Sequence, residues 1–429
     1  MSPRLVLSGV VVWPTLNRYA LAKNSRPPLL FSHFHLAPEL QRALSDRGYH
    51  ETTPVQSETI PVALEGRDVV ATAETGSGKT CAFLTPTLNR LHRAHTNHLA
   101  ALIVTPTREL ATQVAREFTA LARHTRLRAA IVMGGESEKR QIDEIRAGAQ
   151  VLVACPGRLI DYLERHIVKL DKIEVVVIDE ADRLLDMGFL PQLKRIMRMV
   201  PRQRQTMMFS ATMATGPEML AREFLHDPAR VTIGEKSAPP STVRQSIYPV
   251  SLEEKSKMLL EILKRPEIER AIVFTRTKSR ADRIAKMLQH AHIRAVQIHG
   301  DRSQGQRNAA LAGFRARKFR VMVATDLAAR GLDIPDVSHV INFDLPDETE
   351  SYIHRVGRTA RMGKSGEAIS LVTPEERVTL ARLERMLGEE LEREHVEGFE
   401  KIQITAPKPV KLFSSSRAPS RNRPRSRWA

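Results

Sequence analysis

Cysteine is almost absent from this chain. Cys81 and Cys155 are the two in 429 residues, and both sit beside apolar residues. That excludes a disulfide framework as the organising device, and with it a zinc site built on thiolates. A reducing cytoplasm fits the same usage. Long apolar runs are missing too; none reaches the roughly 18–20 residues that cross a membrane. Acids are missing from both ends. The first thirty residues contain none, and none occurs from Lys401 to Ala429, where Lys401, Lys408, Lys411, Arg417, Arg421, Arg423, Arg425 and Arg427 are all basic. The formal net charge is +17. Such an excess points to a polyanionic partner, most simply a nucleic acid, with mere solubility as the alternative use of a basic tail. His92, His95 and His98 recur at every third residue, but that spacing drifts around a helix and no acid or cysteine joins them, so no metal centre is indicated.

What the chain does contain is an alternation of short apolar strands with helical stretches, the pattern of parallel sheets. Strands are expected at 68–72, 101–105, 129–133, 151–154, 175–178 and 206–210. A breaker-rich linker follows at 234–245, and a second series runs 271–275, 295–299, 321–325, 339–343 and 368–372. The organisation expected is an extension at 1–30, a first lobe at 31–233, a second at 246–397 and a basic, disordered tail at 398–429. Leu5–Trp13 is apolar behind Arg4, loosely like a signal-peptide core without a clear cleavage site. A transit-like leader and a start codon placed too far upstream are the other readings; a disordered extension is the default.

Two stretches carry chemistry. Val175–Ile178 is an unbroken β-branched run, as in a strand buried on both faces, and Asp179, Glu180 and Asp182 follow at its carboxyl end. Ala73, Glu74, Thr75, Gly76, Ser77, Gly78, Lys79 and Thr80 follow another apolar run and precede a helix. Small residues let backbone N–H groups close on phosphate oxygens, Lys79 supplies charge to the β- and γ-phosphates, and the Thr80 hydroxyl is placed to ligate Mg²⁺. Asp179 is the natural magnesium acid, directly or through water. Glu180 is placed to orient or deprotonate the attacking water, although a strand-end carboxylate can also simply cap a helix. In the second half, His354–Arg361 gathers arginines around a glycine, which reads either as a γ-phosphate contact or as a solvated basic face.

With further blocks in order between Phe31 and Leu391, the chain resembles the DEAD-box ATP-dependent RNA helicases, most like the bacterial RhlE-type members. The resemblance implies an α/β fold of two RecA-like lobes with a cleft between them. Phe31, seventeen residues before Gly48, is implied to stack on adenine, and Gln56 to hydrogen-bond its edge. Pro106, Thr107, Arg108, Gly134, Gly135, Gly157 and Arg158 resemble RNA-backbone contacts of the first lobe; Gln304, Arg307 and Thr325 resemble those of the second, with Asp333 on the ribose. Asp182, Ser210, Thr212 and His354 are implied to couple hydrolysis to strand separation, and Arg358 and Arg361 to reach the γ-phosphate. Thr52, Glu74, Cys155 and Ala360 depart from the usual Pro, Gln, Thr and Gly. The implied activity is RNA-stimulated ATP hydrolysis with Mg²⁺, driving local opening of short duplexes or remodelling of RNA–protein complexes. The implied partner is single-stranded or short duplex RNA of any sequence, bound by a cytoplasmic monomer with ribosomal or RNA-decay protein partners. A DNA translocase and an ATP-gated RNA clamp are the rival readings.

Overall fold

The computed structural model describes residues 29–74, 76–213, 215–233, 243–329, 337–359 and 366–404. The chain divides after Lys236 into two units. The first is a parallel sheet of β1 (Val69–Thr72), β2 (Ala101–Val104), β3 (Ala129–Val132), β4 (Val151–Ala154), β5 (Val175–Ile178), β6 (Gln205–Ser210) and β7 (Ala229–Thr232), in the order β3-β4-β2-β5-β6-β1-β7. β-branched side chains favour the pleated backbone, and strict alternation sends them to opposite faces. Val175 and Val177 enter one apolar cluster with Leu84, Leu88 and Val114 from helices on that face. Val176 and Ile178 enter the other, with Leu159, Leu193 and Ile196. A parallel strand covered on both faces needs no polar residue, which is why its sequence is an unbroken apolar run.

The second unit repeats the plan. Strands β8 (Val243–Pro249), β9 (Ala271–Phe274), β10 (Ala295–Ile298), β11 (Val321–Ala324), β12 (His339–Asn342), β13 (Gly366–Val372) and β14 (Glu392–Arg393) lie in the order β10-β11-β9-β12-β13-β8-β14, all pairs parallel. The central strands match the expected positions. β7, β8 and β14 were not expected, because none is an apolar run. Only Val231 of β7 is buried, β14 is exposed throughout, and β8 carries Arg244, Gln245 and Ser246. β8 starts at Val243, inside the stretch expected to be linker.

The outer limits also differ. Phe399 and Ile404 pack against apolar clusters of the second unit, so packing continues past Gly398, where composition places the start of a tail. At the other end Leu29 already packs on the first unit, its N–H donating to the Thr52 hydroxyl at 2.9 Å. Residues 1–28 and 405–429 lie outside the described residues.

Candidate active site

β1, β6 and β5 are neighbours, with Thr72 beside Ser210 and Ile178 beside Met208. The phosphate-loop segment, the Ser210–Thr212 segment and the acids after β5 therefore leave adjacent carboxyl ends, where open α/β sheets hold their ligands. Gly76 and Gly78 take left-handed backbone, at φ +91° and +97°. A Cβ on Gly78 would also collide with the Gln56 amide. Helix Lys79–Arg93 begins directly behind, so its first N–H groups and dipole favour an anion there. Lys79 is buried and its ammonium donates to the carbonyls of Ala73 and, at 3.2 Å, Glu74. Ser77 Oγ donates to the Glu74 carbonyl at 2.7 Å, tightening the loop. Thr80 is half-buried in the first turn of the helix. Thr75 lies outside the described residues.

Asp179, Glu180 and Asp182 are all buried. Burial pushes the Asp179 carboxyl up to about 7; the neighbouring Glu180 charge adds to the shift and the Lys79 ammonium opposes it. A carboxyl so placed is destabilised as an anion, and a bound divalent cation removes that penalty. A carboxylate and the Thr80 hydroxyl are hard oxygen donors of the kind Mg²⁺ prefers, so the residues present fit that ion by their chemistry. Asp182 works differently. Its Oδ2 accepts from the amides of Ala211 and Thr212, both at 3.0 Å, and from the Thr212 hydroxyl at 3.4 Å, while its own N–H donates to Ser210 Oγ at 3.3 Å. The end of β5 is thereby tied to the end of β6.

Gln56 belongs to helix Pro54–Leu64, where it completes a capping box with Thr53: Oε1 accepts from the Thr53 N–H at 2.9 Å. Its Nε2 donates to the Gly78 carbonyl at 3.1 Å. One amide thus joins the adenine-motif helix to the phosphate loop. The Phe31 ring is only 2% exposed, stacked on Tyr49 at 6.5 Å and edge-on to Phe34 at 6.0 Å. In this conformation it anchors the segment entering the unit, and its N–H donates to the His50 carbonyl.

The other half of the carboxyl edge, β2, β4 and β3, carries the expected RNA-backbone residues. Pro106, Thr107 and Arg108 follow β2, Gly157 and Arg158 follow β4, and Gly134 and Gly135 follow β3. Thr107 caps helix Arg108–Leu121 through its Oγ1. The Arg108 guanidinium lies against Gly134 and Gly135, and a Cβ on Gly135 would overlap it. Arg158 shares Glu138, at 3.4 Å, with Arg165, and lies over the Tyr162 ring. In the second unit Gln304 and Arg307 start the helix after β10, and Thr325 follows β11. β10 and β11 occupy the places in their sheet that β3 and β4 occupy in the first. His354 lies in the last turn of helix Thr349–Val356, and the buried Arg358 donates Nε to the His354 carbonyl at 3.2 Å. Asp333 and Arg361 lie outside the described residues.

Residues 53–220 match the DEAD/DEAH box helicase family, and residues 254–363 match the helicase conserved C-terminal domain. The chain belongs to the DEAD-box helicases. The DEAD-box ATP-dependent RNA helicase RhpA of Helicobacter pylori is 40% identical over 374 residues, 87% of this chain and 76% of that protein. The RNA helicase CrhR of Synechocystis is 43% identical over 363 residues, 84% and 73% of the two chains. Among solved structures, S. cerevisiae Dbp5 bound to RNA and ADP BeF3 is similar with a TM-score of 0.78 and 29% identity, over 85% of this chain and 95% of that one.

Within this helicase the unusual residues have local explanations. The Thr52 hydroxyl donates to the Leu29 carbonyl at 3.0 Å and accepts from the Leu29 N–H, a pairing proline cannot make. Cys155 turns inward, with Sγ 4.0 Å from Thr105 Oγ1 and burial holding its thiol up at about 12, so its side chain is removed from the outward-facing Gly157. Glu74 is exposed. Ala360 lies outside the described residues. Three residues that support these segments were given no role of their own by the sequence reading. Buried Gln141 accepts from the Met133 N–H at 3.0 Å and donates to its carbonyl at 2.9 Å, fixing the strand end that launches Gly134 and Gly135. Arg355 forks onto Asp326, beside Thr325. Arg183 pairs with Glu180. Arg183 carried a sequence signal in its spacing of three residues from Glu180 at a helix start, and Arg355 lies within the His354–Arg361 cluster, although its partner was not legible there.

Proposed function

We propose that this ATP-dependent RNA helicase opens short RNA duplexes locally, or remodels RNA–protein complexes, by the chemistry of the residues grouped at its strand ends. The carrying observation is the division of the first unit's carboxyl edge. Phosphate-loop, acid and coupling segments leave β1, β5 and β6, while arginines and backbone-exposing glycines leave β2, β3 and β4. Lys79 and the loop N–H groups hold the triphosphate. Thr80 and Asp179 would hold Mg²⁺, which when bound neutralises charge on the β- and γ-phosphates. Glu180 orients the attacking water and accepts its proton. Arg358 and Arg361 contact the γ-phosphate. Asp182, through the Ala211 and Thr212 amides, passes the state of the acids to the β6 end. Adenine is read by the Gln56 amide, whose present bonds to Thr53 and Gly78 link base recognition to the phosphate loop.

RNA is held along its phosphates and sugars by Thr107, Arg108, Arg158, Arg307, Thr325 and the glycine backbones, so binding is nearly independent of sequence. We place the protein in the cytoplasm as a monomer that meets ribosomal or RNA-decay proteins. The test is strand release from a short RNA duplex, set beside ATP-dependent retention on single-stranded RNA. ATP-dependent release is the expected result, with ATP preferred over GTP. Retention without release would make the protein an ATP-gated clamp.

A further inference from the structure

The acid assigned to hydrolysis does not stand alone. Glu180 adopts left-handed backbone, φ +50° and ψ +59°, an unfavourable conformation for a residue with a β-carbon. That turn ends β5 and starts helix Ala181–Asp186. One helical turn on, Arg183 brings its Nη1 back to Glu180 Oε2 in a buried ion pair. Arg183 is 4% exposed, and among the described residues its Nε and Nη2 meet no hydrogen-bond partner. The neighbouring charges are engaged differently, Lys79 with the loop carbonyls and Asp182 with the amides after β6. A buried guanidinium with so few partners depends on its carboxylate, and the carboxylate is fixed by it in return.

We propose that Arg183 is a positioning residue for hydrolysis, holding the Glu180 carboxylate in the orientation from which it meets the attacking water. It acts through Glu180 and not on ATP, and this rests on the role given to Glu180 above. Displacing a reacting group by about 1 Å costs on the order of 10²-fold in rate, so the loss appears in turnover and not in nucleotide binding.

The test uses the full chain as Arg183→Met, Arg183→Lys, Glu180→Gln and the double variant Glu180→Gln/Arg183→Met. RNA-stimulated kcat and KM for ATP, the affinity for a fluorescent ATP analogue and nucleotide-free melting are measured. Arg183→Met is expected to lower kcat by about tenfold or more with KM and analogue affinity nearly unchanged, and Arg183→Lys to recover part of that loss. The melting shifts of the two single variants should exceed that of the double, because each single change leaves one buried partner unmatched. A Glu180→Gln protein that hydrolyses ATP at the wild-type rate overturns the role of Glu180 itself. An inactive Glu180→Gln beside an Arg183→Met protein with wild-type kcat, or with additive melting shifts, overturns the positioning role alone. Should Arg183→Met not fold, Arg183→Lys decides: lowered kcat at unchanged KM supports the proposal, and unchanged kcat overturns it.

Discussion

Lys79→Ala will abolish RNA-stimulated ATP hydrolysis while leaving the fold in place. The ammonium is the only cationic side chain in the loop from Ala73 to Thr80, and it sits on the Ala73 and Glu74 carbonyls at the start of the helix. No other group in that segment can meet the charge that spreads over the phosphate oxygens in the transition state. Losing one preorganised charge or donor of this kind costs at least about 10²–10³-fold in rate. Folding depends on it less, because among the described residues the ammonium meets only two loop carbonyls, one of them on the exposed Glu74, and no carboxylate is left unpaired by its loss. Steady-state hydrolysis at saturating RNA, set beside thermal melting, checks both halves. A rate within tenfold of wild type would remove Lys79 from the chemistry.

Arg355→Met will be the most destabilising of the substitutions considered, and its effect will be confined to the second unit. Arg355 is 2% exposed. Nε and Nη2 donate to the two oxygens of Asp326 at 2.6 and 2.7 Å, and Nη1 donates to Asn342 Oδ1 at 3.0 Å and the Asp344 carbonyl at 2.6 Å. The guanidinium also lies 5.1 Å from the centre of the Phe274 ring. It joins the ends of β9, β11 and β12 to the helix that carries His354. Asp326 keeps some contact with water, so the loss falls on the buried Asn342 and Asp344 acceptors as well as on the fork, at about 1–3 kcal/mol for each buried group left unmatched, against a total of roughly 5–15 kcal/mol for a domain. Lysine cannot restore the fork, so Arg355→Lys should recover little. Differential scanning calorimetry should show a lowered second-unit transition, with nucleotide affinity of the first unit retained. An unchanged melting profile would show that the fork contributes nothing.

Both sheets were legible wherever a strand is covered on two faces, since Val175–Ile178 and Ala271–Phe274 have no reason to carry a polar residue. β7, β8 and β14 were not, because a strand at or beside a sheet edge tolerates Arg230, Gln245 or Glu392, and its apolar pattern dissolves. The site was legible where chemistry fixes residue type at short spacing, as from Gly76 to Thr80 and from Asp179 to Asp182. Residues that act through a distant contact were not. Nothing near Gln141 says that its amide will close on Met133, and nothing near Arg355 names Asp326. Burial was the other blind spot. An aromatic at the position of Phe31 fits a base-stacking motif, yet the sequence does not say that its ring packs on Tyr49 and Phe34.

The central claim is that the protein reads the RNA backbone and couples it to ATP hydrolysis. Its most direct test is the ATPase rate of the full chain with single-stranded RNA, with DNA of the same sequence, and with a base-scrambled RNA. The expected contacts go to phosphates and sugars, and the 2′-hydroxyl both donates and accepts a hydrogen bond that DNA cannot replace. The account predicts strong stimulation by both RNAs, equal within about twofold, and little by DNA. Equal stimulation by DNA and RNA would contradict it and favour a DNA translocase built on the same two sheets.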